Sequence, residues 1–243
     1  MKKLEIIVRN LALYLFLFLT VPPFAILILL LSLFDRRGVL THEIGRFWLR
    51  AILFLTGVKL EVRGLEYLKR DEAYIFAANH QSQFDIPVLA VALPYQIRWL
   101  AKKSLFQIPF FGWALRAIGY IPVDRKNPRR GYESLLKAAE KIKKGLSVVI
   151  FPEGTRSPDG RLLPFKTGGF VLAIKSGRPV VAIAICGTRK IMPKGKLYVR
   201  PGLVRLLIFP PIPTRGLNLQ EKASLAQLVR LRIEEGLRAG CQR

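Results

Sequence analysis

The hydrophobic pattern opens with an uncharged run of 24 residues, Leu11 to Phe34 (LALYLFLFLTVPPFAILILLLSLF). As one helix it would extend about 36 Å, enough to cross the hydrocarbon core of a bilayer. Pro22 and Pro23 stand at its middle, where missing N–H groups and ring clashes predict a kink or a break. Each half is then about 11 residues, too short to span alone. Basic residues flank the run on both sides: Lys2, Lys3 and Arg9 before it, Arg36, Arg37, Arg46 and Arg50 after it. The asymmetry that orients a spanning helix is missing. A membrane-embedded helical hairpin that dips into one leaflet and returns to the same face fits both facts; a kinked single span is the alternative. The anchor residues are Leu11, Phe16, Phe18, Pro22, Pro23, Leu29, Leu30 and Phe34. A cleaved signal peptide fits poorly, because the run is too long and no A-x-A-like site closes it.

Residues 38–58 repeat apolar positions at helical spacing (Phe47, Trp48, Ala51, Ile52, Leu55) and predict a second helix lying at the interface. Runs rich in Val, Ile, Phe and Tyr then predict strands at 59–63, 73–78, 97–101, 119–123, 147–151, 179–185, 197–200 and 204–209. Helical patterns separate them. In the clearest, Tyr132, Leu135, Leu136, Ala139 and Ile142 share a face, and Gly145 stops the helix. A last helix starts at Asn218, with Glu221 in capping-box spacing, and carries Leu225, Leu228 and Leu231. The fold class is α/β, a mixed β-sheet flanked by helices, since 197–209 holds two strands joined by a short connection. The division is an anchoring segment, 1–58, and an α/β domain, 59–243. No internal repeat or low-complexity linker interrupts it.

Charge changes the picture. Lys and Arg number 40 against 16 Asp and Glu, a formal +24, while hydrophobic residues still make up 51% and mean hydropathy is +0.28. A disordered basic tail is excluded by that apolar content. An anionic partner is implied, nucleic acid or anionic lipid, and the apolar N-terminus selects membrane lipid. Residues 1–78 carry +4 and residues 79–243 carry +20. The basic residues cluster as Lys102-Lys103, Arg125-Lys126, Arg129-Arg130, Lys143-Lys144 and Arg189 to Lys196. Most of them suit a surface drawn to anionic headgroups. They are spread along the domain without an arm or a nucleic-acid signature, so no nucleic acid is expected as partner. The two cysteines, Cys186 and Cys241, stand far apart with no CxxC or Cys/His cluster. They predict reduced thiols facing a cytosol, and no metal site.

Three segments carry candidate chemistry. Asn79-His80-Gln81-Ser82-Gln83-Phe84-Asp85 follows the strand at 73–78, and the chain has only two histidines. A general base near neutral pH is therefore sought at one of them. Five residues separate His80 from Asp85, an offset that pairs them only across a turn. Pro87 supplies one by fitting the first turn of a following helix with Asp85 as its N-cap. Asp85 then either holds one ring nitrogen while the other removes a proton from a hydroxyl, or does nothing more than cap the helix. Phe151-Pro152-Glu153-Gly154-Thr155-Arg156-Ser157 lies at another strand end, where ligands of α/β sheets collect. Glu153 suits a polyol or the positioning of backbone, Gly154 permits close approach, and Arg156 suits a phosphate; a plain β-turn is the other reading. Gly119-Tyr120-Ile121-Pro122-Val123-Asp124-Arg125 ends a third strand in an acid–base pair, where Arg125 binds an anion or pairs with Asp124. Residues 160–167 (GRLLPFKT) have phosphate-loop spacing, but Phe165 occupies the second glycine position. No G-x-S-x-G elbow seats a serine nucleophile.

Together these segments resemble the membrane glycerolipid acyltransferases, most closely the bacterial 1-acylglycerol-3-phosphate acyltransferases. NHxxxxD matches Asn79–Asp85, G-x-x-x-x-D-R matches Gly119–Arg125, FPEGTRS matches Phe151–Ser157, and a proline-led apolar block matches Arg178-Pro179-Val180-Val181-Ala182-Ile183. All four stand in family order within residues 60–200. The resemblance implies transfer of an acyl chain from a thioester of acyl carrier protein or CoA to the sn-2 hydroxyl of lysophosphatidic acid, giving phosphatidic acid, with no further cofactor. It implies His80 as general base and Asp85 as its orienter, with direct attack and no acyl-enzyme. Asn79, Arg125, Glu153, Gly154, Thr155 and Arg156 would bind substrate, and Lys102, Lys103 and Lys166 are further phosphate candidates. The implied location is the cytoplasmic membrane, catalytic domain on the cytoplasmic side. A different lyso-lipid or glycerol-3-phosphate is the neighbouring acceptor.

Overall fold

The computed structural model describes residues 2–35, 37–124, 127–143 and 145–241. Two helices come first: α1 (Lys2–Ser32) and α2 (Val39–Thr56). The α/β domain follows as β1 (Val58–Arg63), β2 (Ile75–Ala78), α3 (Asp85–Ala92), β3 (Ile97–Lys102), α4 (Phe111–Ala117), β4 (Ile121–Val123), α5 (Pro128–Lys143), β5 (Ser147–Ile150), α6 (Gly168–Ser176), β6 (Val180–Cys186), α7 (Thr188–Ile191), β7 (Gly202–Ile208) and α8 (Lys222–Cys241).

Seven strands form one sheet in the order β1-β7-β6-β2-β5-β3-β4. All neighbours are parallel except β6 and β7. Alternation along the strands builds two cores, one on each face. Tyr74, Phe76, Val149, Val181 and Ile183 meet α1, α2 and α3 through Leu13, Ile52, Leu53, Val88 and Leu89. Ile75, Ala77, Val148, Val180 and Ala182 meet α5, α6 and α8 through Ala139, Ile142, Phe170, Leu225, Val229 and Ile233. Central β6 is buried on both faces along its whole length, as a strand covered by helices on either side must be.

The sheet is mixed for a different reason from the one the sequence suggests. Residues 197–200 form no strand; the antiparallel element is β7 against β6. The segment leaves the sheet because Asn10 of α1 takes its backbone: Nδ2 donates to the Val199 carbonyl and Oδ1 accepts from the Val199 N–H, both at 2.7 Å.

The hairpin expected within the apolar run does not form: α1 continues past both prolines as one helix, and it packs instead against α2. The proline pair does not break α1. Trp48 of α2 splints it there, stacking on Phe16 and Phe24 with centroids 6.0 and 5.2 Å away. Its indole N–H donates to Thr20 Oγ1 at 2.9 Å. The first third of α1 and the connection that follows the helix are both fastened to the α/β domain. Asn10 holds Val199 at the first. At the second, buried Arg98 of β3 donates to the carbonyls of Arg37 and Gly38 at 3.3 and 3.2 Å. Leu11, Phe18, Leu30 and Phe34 remain exposed, whereas Phe16 and Leu29 are partly covered. Residues Lys3–Ser32 are long and apolar enough to cross a membrane.

The cysteines also depart from expectation: Cys186 and Cys241 form a disulfide, with Cα atoms 5.3 Å apart. A sequence separation of 55 conceals a pair that the fold creates, because α8 runs along β6 to its end. Gly240 permits this approach, since a Cβ there would stand 2.4 Å from Leu207. The capping box of Asn218 and Glu221 is present. Of the three leucines assigned to α8, Leu225 is buried, but Leu228 and Leu231 face outward while Val229 and Ile233 fill the core.

Candidate active site

Strands β2, β5, β3, β4 and β6 are mutually parallel, so their C-terminal ends share one edge of the sheet. Asn79-His80 follow β2, Phe151–Arg156 follow β5, Lys102 ends β3 and Asp124 follows β4. The topology thereby gathers the three polar motifs, while the proline-led block becomes buried strand β6.

His80 Nδ1 lies 2.7 Å from Asp85 Oδ2. The turn between them is closed by the same carboxylate oxygen, which accepts the N–H groups of Gln81 at 2.7 Å and Ser82 at 2.9 Å. Asp85 is therefore not the N-cap. It is the first residue of α3, Phe84 occupies the cap, and Pro87 stands in the first turn as expected. The reach back from a helix start explains how a five-residue offset brings the groups together. Asp85 is fully buried, and its Oδ1 has no hydrogen-bond partner among the described residues. Among the described residues nothing bonds His80 Nε2, which is the ring nitrogen left for substrate.

The imidazole is held from other directions as well. The His80 backbone N–H donates to Glu153 Oε1 at 2.7 Å, and the His80 backbone carbonyl accepts from Ser157 N–H at 2.7 Å. Glu153 Oε2 accepts from Leu163 N–H at 2.9 Å. Glu153, expected to bind substrate, is thus a buried brace between the two motifs. Burial pushes its carboxyl above the ordinary range, opposed by these two N–H donors and the nearby His80. Phe151 stacks on the His80 ring, and Trp99 stacks on Phe151 in turn.

Asn79 is also reassigned. It is fully buried, donating to the Ile185 carbonyl at 3.0 Å and accepting from the Ile185 N–H at 2.7 Å. It locks β2 to β6 one residue before His80 and offers nothing to a ligand. Removing it would strand two buried backbone groups, at about 1–3 kcal/mol each.

The anion-binding candidates lie on the open side. Thr155 is exposed, and the Arg156 guanidinium has no partner among the described residues. Gly154 has φ 71°, and its missing side chain leaves room for Lys166, whose Cε would stand 3.1 Å from a Cβ there. Lys166 is thereby brought beside the motif. Lys102 ends β3 opposite Val123 of β4, and Lys103 follows it with Nζ 3.8 Å from Asp124 Oδ2, beside the Gly119–Arg125 block. Arg125 and its neighbour Lys126 lie outside the described residues, as do Arg36, Lys144 and the side chains of Arg129, Arg130 and Lys143. Phe151 opens the second motif, but its packing on His80 and the part of Trp99 behind it have no signal in the sequence beyond an aromatic at a strand end. Lys194, whose Nζ donates to the Arg156 carbonyl at 2.7 Å, had no signal beyond its charge.

Residues 59–186 match the family model described as Acyltransferase. The chain is 43% identical over 183 residues to the chloroplastic 1-acyl-sn-glycerol-3-phosphate acyltransferase BAT2 of Brassica napus, covering 74% of this chain and 53% of that protein. It is 32% identical over 195 residues to the human 1-acyl-sn-glycerol-3-phosphate acyltransferase alpha, covering 80% of this chain and 69% of the relative. Against the plant chloroplastic relatives the chain spans about half their length. The crystal structure of the 1-acyl-sn-glycerophosphate (LPA) acyltransferase PlsC from Thermotoga maritima superposes with a TM-score of 0.84 at 28% identity, covering 98% of this chain and 97% of that one.

Proposed function

This chain belongs to the 1-acyl-sn-glycerol-3-phosphate acyltransferase family, and from that premise we propose that it moves a fatty acyl group from a thioester to the sn-2 hydroxyl of lysophosphatidic acid. The observation that carries the reading is the His80–Asp85 pair, with Nδ1 engaged and Nε2 open at a strand edge bordered by Arg156 and Lys166.

Nε2 removes the hydroxyl proton as the oxygen attacks the thioester carbonyl. The buried Asp85 carboxylate stabilises the imidazolium that forms. Collapse of the tetrahedral intermediate breaks the C–S bond, and the imidazolium returns the proton to the leaving thiolate. Products are phosphatidic acid and the free thiol of CoA or acyl carrier protein; no acyl-enzyme forms. Arg156, Thr155 and Lys166 hold the acceptor's phosphate, joined by Arg125 through its place in the third motif. Arg156 supplies a planar two-pronged donor and Lys166 a point charge.

The protein is monotopic in this reading. A helix that crosses a bilayer leaves its flanks on opposite sides, yet Asn10 near the start of α1 and Gly38 just after it bind one domain. Insertion of the α1 and α2 pair into one leaflet satisfies that constraint, with the domain on the cytoplasmic side of the inner membrane and its basic surface toward anionic lipids.

The test is an acceptor panel in vesicles: one labelled acyl thioester offered with lysophosphatidic acid, glycerol-3-phosphate, lysophosphatidylcholine and a lyso-aminolipid, with His80→Ala as the blank. Label in phosphatidic acid, reduced by about 10²–10⁴ or more in the variant, is the expected result. Label in a zwitterionic product would remove the acceptor assignment, and full activity in His80→Ala would remove the mechanism.

A further inference from the structure

Between Asp159 and Glu221 the chain has no acidic residue. One loop in that stretch, Met192 to Arg200, is closed at its base by Arg200 N–H on the Ile191 carbonyl at 2.9 Å and tightened by Lys196 N–H on the Pro193 carbonyl at 3.1 Å. The core does not use its tip: Leu197 is 73% exposed and Tyr198 is exposed beside it. The loop lies against α1, held by the Asn10 amide on Val199 and by the Tyr14 hydroxyl, which donates to the Leu197 carbonyl. Leu197 therefore continues the exposed apolar surface formed by Leu11, Tyr14, Leu15 and Phe18. Lys194, Lys196 and Arg200 surround it, with the Arg200 guanidinium 4.9 Å over the Tyr198 ring.

We propose that this loop is a second membrane-contact element, seating Leu197 and Tyr198 in the interface while its cations meet anionic headgroups. An apolar tip with an amphipathic aromatic, ringed by lysine and arginine, is the chemistry of an interfacial anchor. Continuity with α1 selects a lipid surface over an acidic protein, because a protein drawn by charge alone has no use for a leucine that extends the apolar face of the anchor.

The contact is tied to the site. Lys194 Nζ donates to the Arg156 carbonyl at 2.7 Å, and Ser82 Oγ donates to the Met192 carbonyl at 2.8 Å. One end of the loop thus touches the phosphate motif and the turn that carries His80. Seating the loop places the acceptor-binding arginine at headgroup depth, so an acceptor embedded in a bilayer reaches it without leaving the lipid; this clause rests on the acceptor assigned above.

The experiment uses the full chain bound to phosphatidylcholine vesicles with and without phosphatidylglycerol. Leu197→Trp is compared with the parent, which holds Trp48, Trp99 and Trp113. Added emission that shifts to the blue, is quenched by shallow brominated lipids and strengthens with phosphatidylglycerol is expected. Added emission that stays unquenched while the protein remains vesicle-bound overturns the proposal. In a second arm, Leu197→Asp is expected to raise the apparent KM for vesicle-embedded lysophosphatidic acid about tenfold and to leave turnover of a monomeric short-chain acceptor unchanged. Equal effects on both acceptors, or none on either, overturn the coupling. Lys196→Glu that raises KM for an acyl carrier protein donor, with the Leu197→Trp emission unquenched by lipid, would make the loop a carrier dock instead. Should the parent acylate neither acceptor, the catalytic reading fails, and the quenching still decides the loop.

Discussion

The ring of Phe151 lies flat against the imidazole of His80, with centroids 3.9 Å apart and planes 10° from parallel. The two residues come from the ends of different strands, β5 and β2, so the sheet itself sets this contact. Trp99, 5.7 Å behind at 25°, prevents Phe151 from turning away. A flat partner restricts rotation about the last bond of the histidine side chain, leaving Asp85 to fix which ring edge faces outward. Phe151→Leu keeps an apolar neighbour and loses the plane. Turnover is expected to fall about tenfold with acceptor KM changed less than about twofold, since a misaimed base costs rate before binding. Steady-state kinetics decide; a change confined to KM would place Phe151 in binding.

Asp85→Asn is expected to lower turnover by about 10²–10⁴, by analogy with the orienting aspartate of hydrolase triads. The substituted amide can accept the Gln81 and Ser82 N–H groups through its oxygen, so the turn survives. It cannot stabilise an imidazolium. Thermal melting close to the parent's, together with the rate loss, is the expected pair of results; equal loss of stability and rate would make Asp85 structural.

The chain's second histidine reports on stability. His42 Nε2 on α2 donates to the Tyr95 carbonyl at 3.1 Å. Burial, then the Arg98 charge, depress its pKa from 6.5 to about 4. A cation depressed in the folded state is bound more weakly there than in the unfolded chain. Its contribution is therefore complete above pH 6.5 and disappears as pH falls toward 4. His42→Gln preserves an N–H for Tyr95 and removes the titration. Parent stability is expected to drop by up to about 3 kcal/mol across that window, with a flatter profile in the variant; parallel denaturation curves would show that His42 is not the titrating group.

Cys241→Ser tests the disulfide. Closing a loop of 55 residues removes unfolded-chain entropy equivalent to about 4 kcal/mol in the chain-entropy account. The variant is expected to melt lower, and a thiol reductant should lower the parent to the same point while leaving the variant unmoved. A parent insensitive to reductant would mean the bond does not form in solution.

How much of this could be read from the residues follows from where each contact is made. Strand positions, the turn between His80 and Asp85 and the capping box at Asn218 are local patterns, and the sequence carries them. Asn79 and Glu153 carry no local sign of their role, because their partners, Ile185 and Leu163, lie 106 and 10 residues away. The disulfide needed the path of α8, and Leu228 and Leu231 misled because every position on an apolar-rich helix suggests a core. Pro22 and Pro23 predict a break that Trp48 counters from another helix. Residues 197–200 have the composition of a strand, but Asn10 engages the backbone that a neighbouring strand would need.

Asn10 and β1 wait for partners that the ribosome makes last. Val199 follows Asn10 by 189 residues, and β1 pairs only with β7, Val58 opposite Gly202 through Arg63 opposite Leu207. A growing chain therefore carries an unpaired first strand, and an amide without its clamp, until nearly all of the domain has been synthesised. Contacts of such sequence separation close slowly, and an open strand edge invites pairing with other chains. On the monotopic reading proposed above, early arrival of α1 at the bilayer would hold that unfinished edge near lipid, away from other nascent chains, for as long as the C-terminal third takes to emerge.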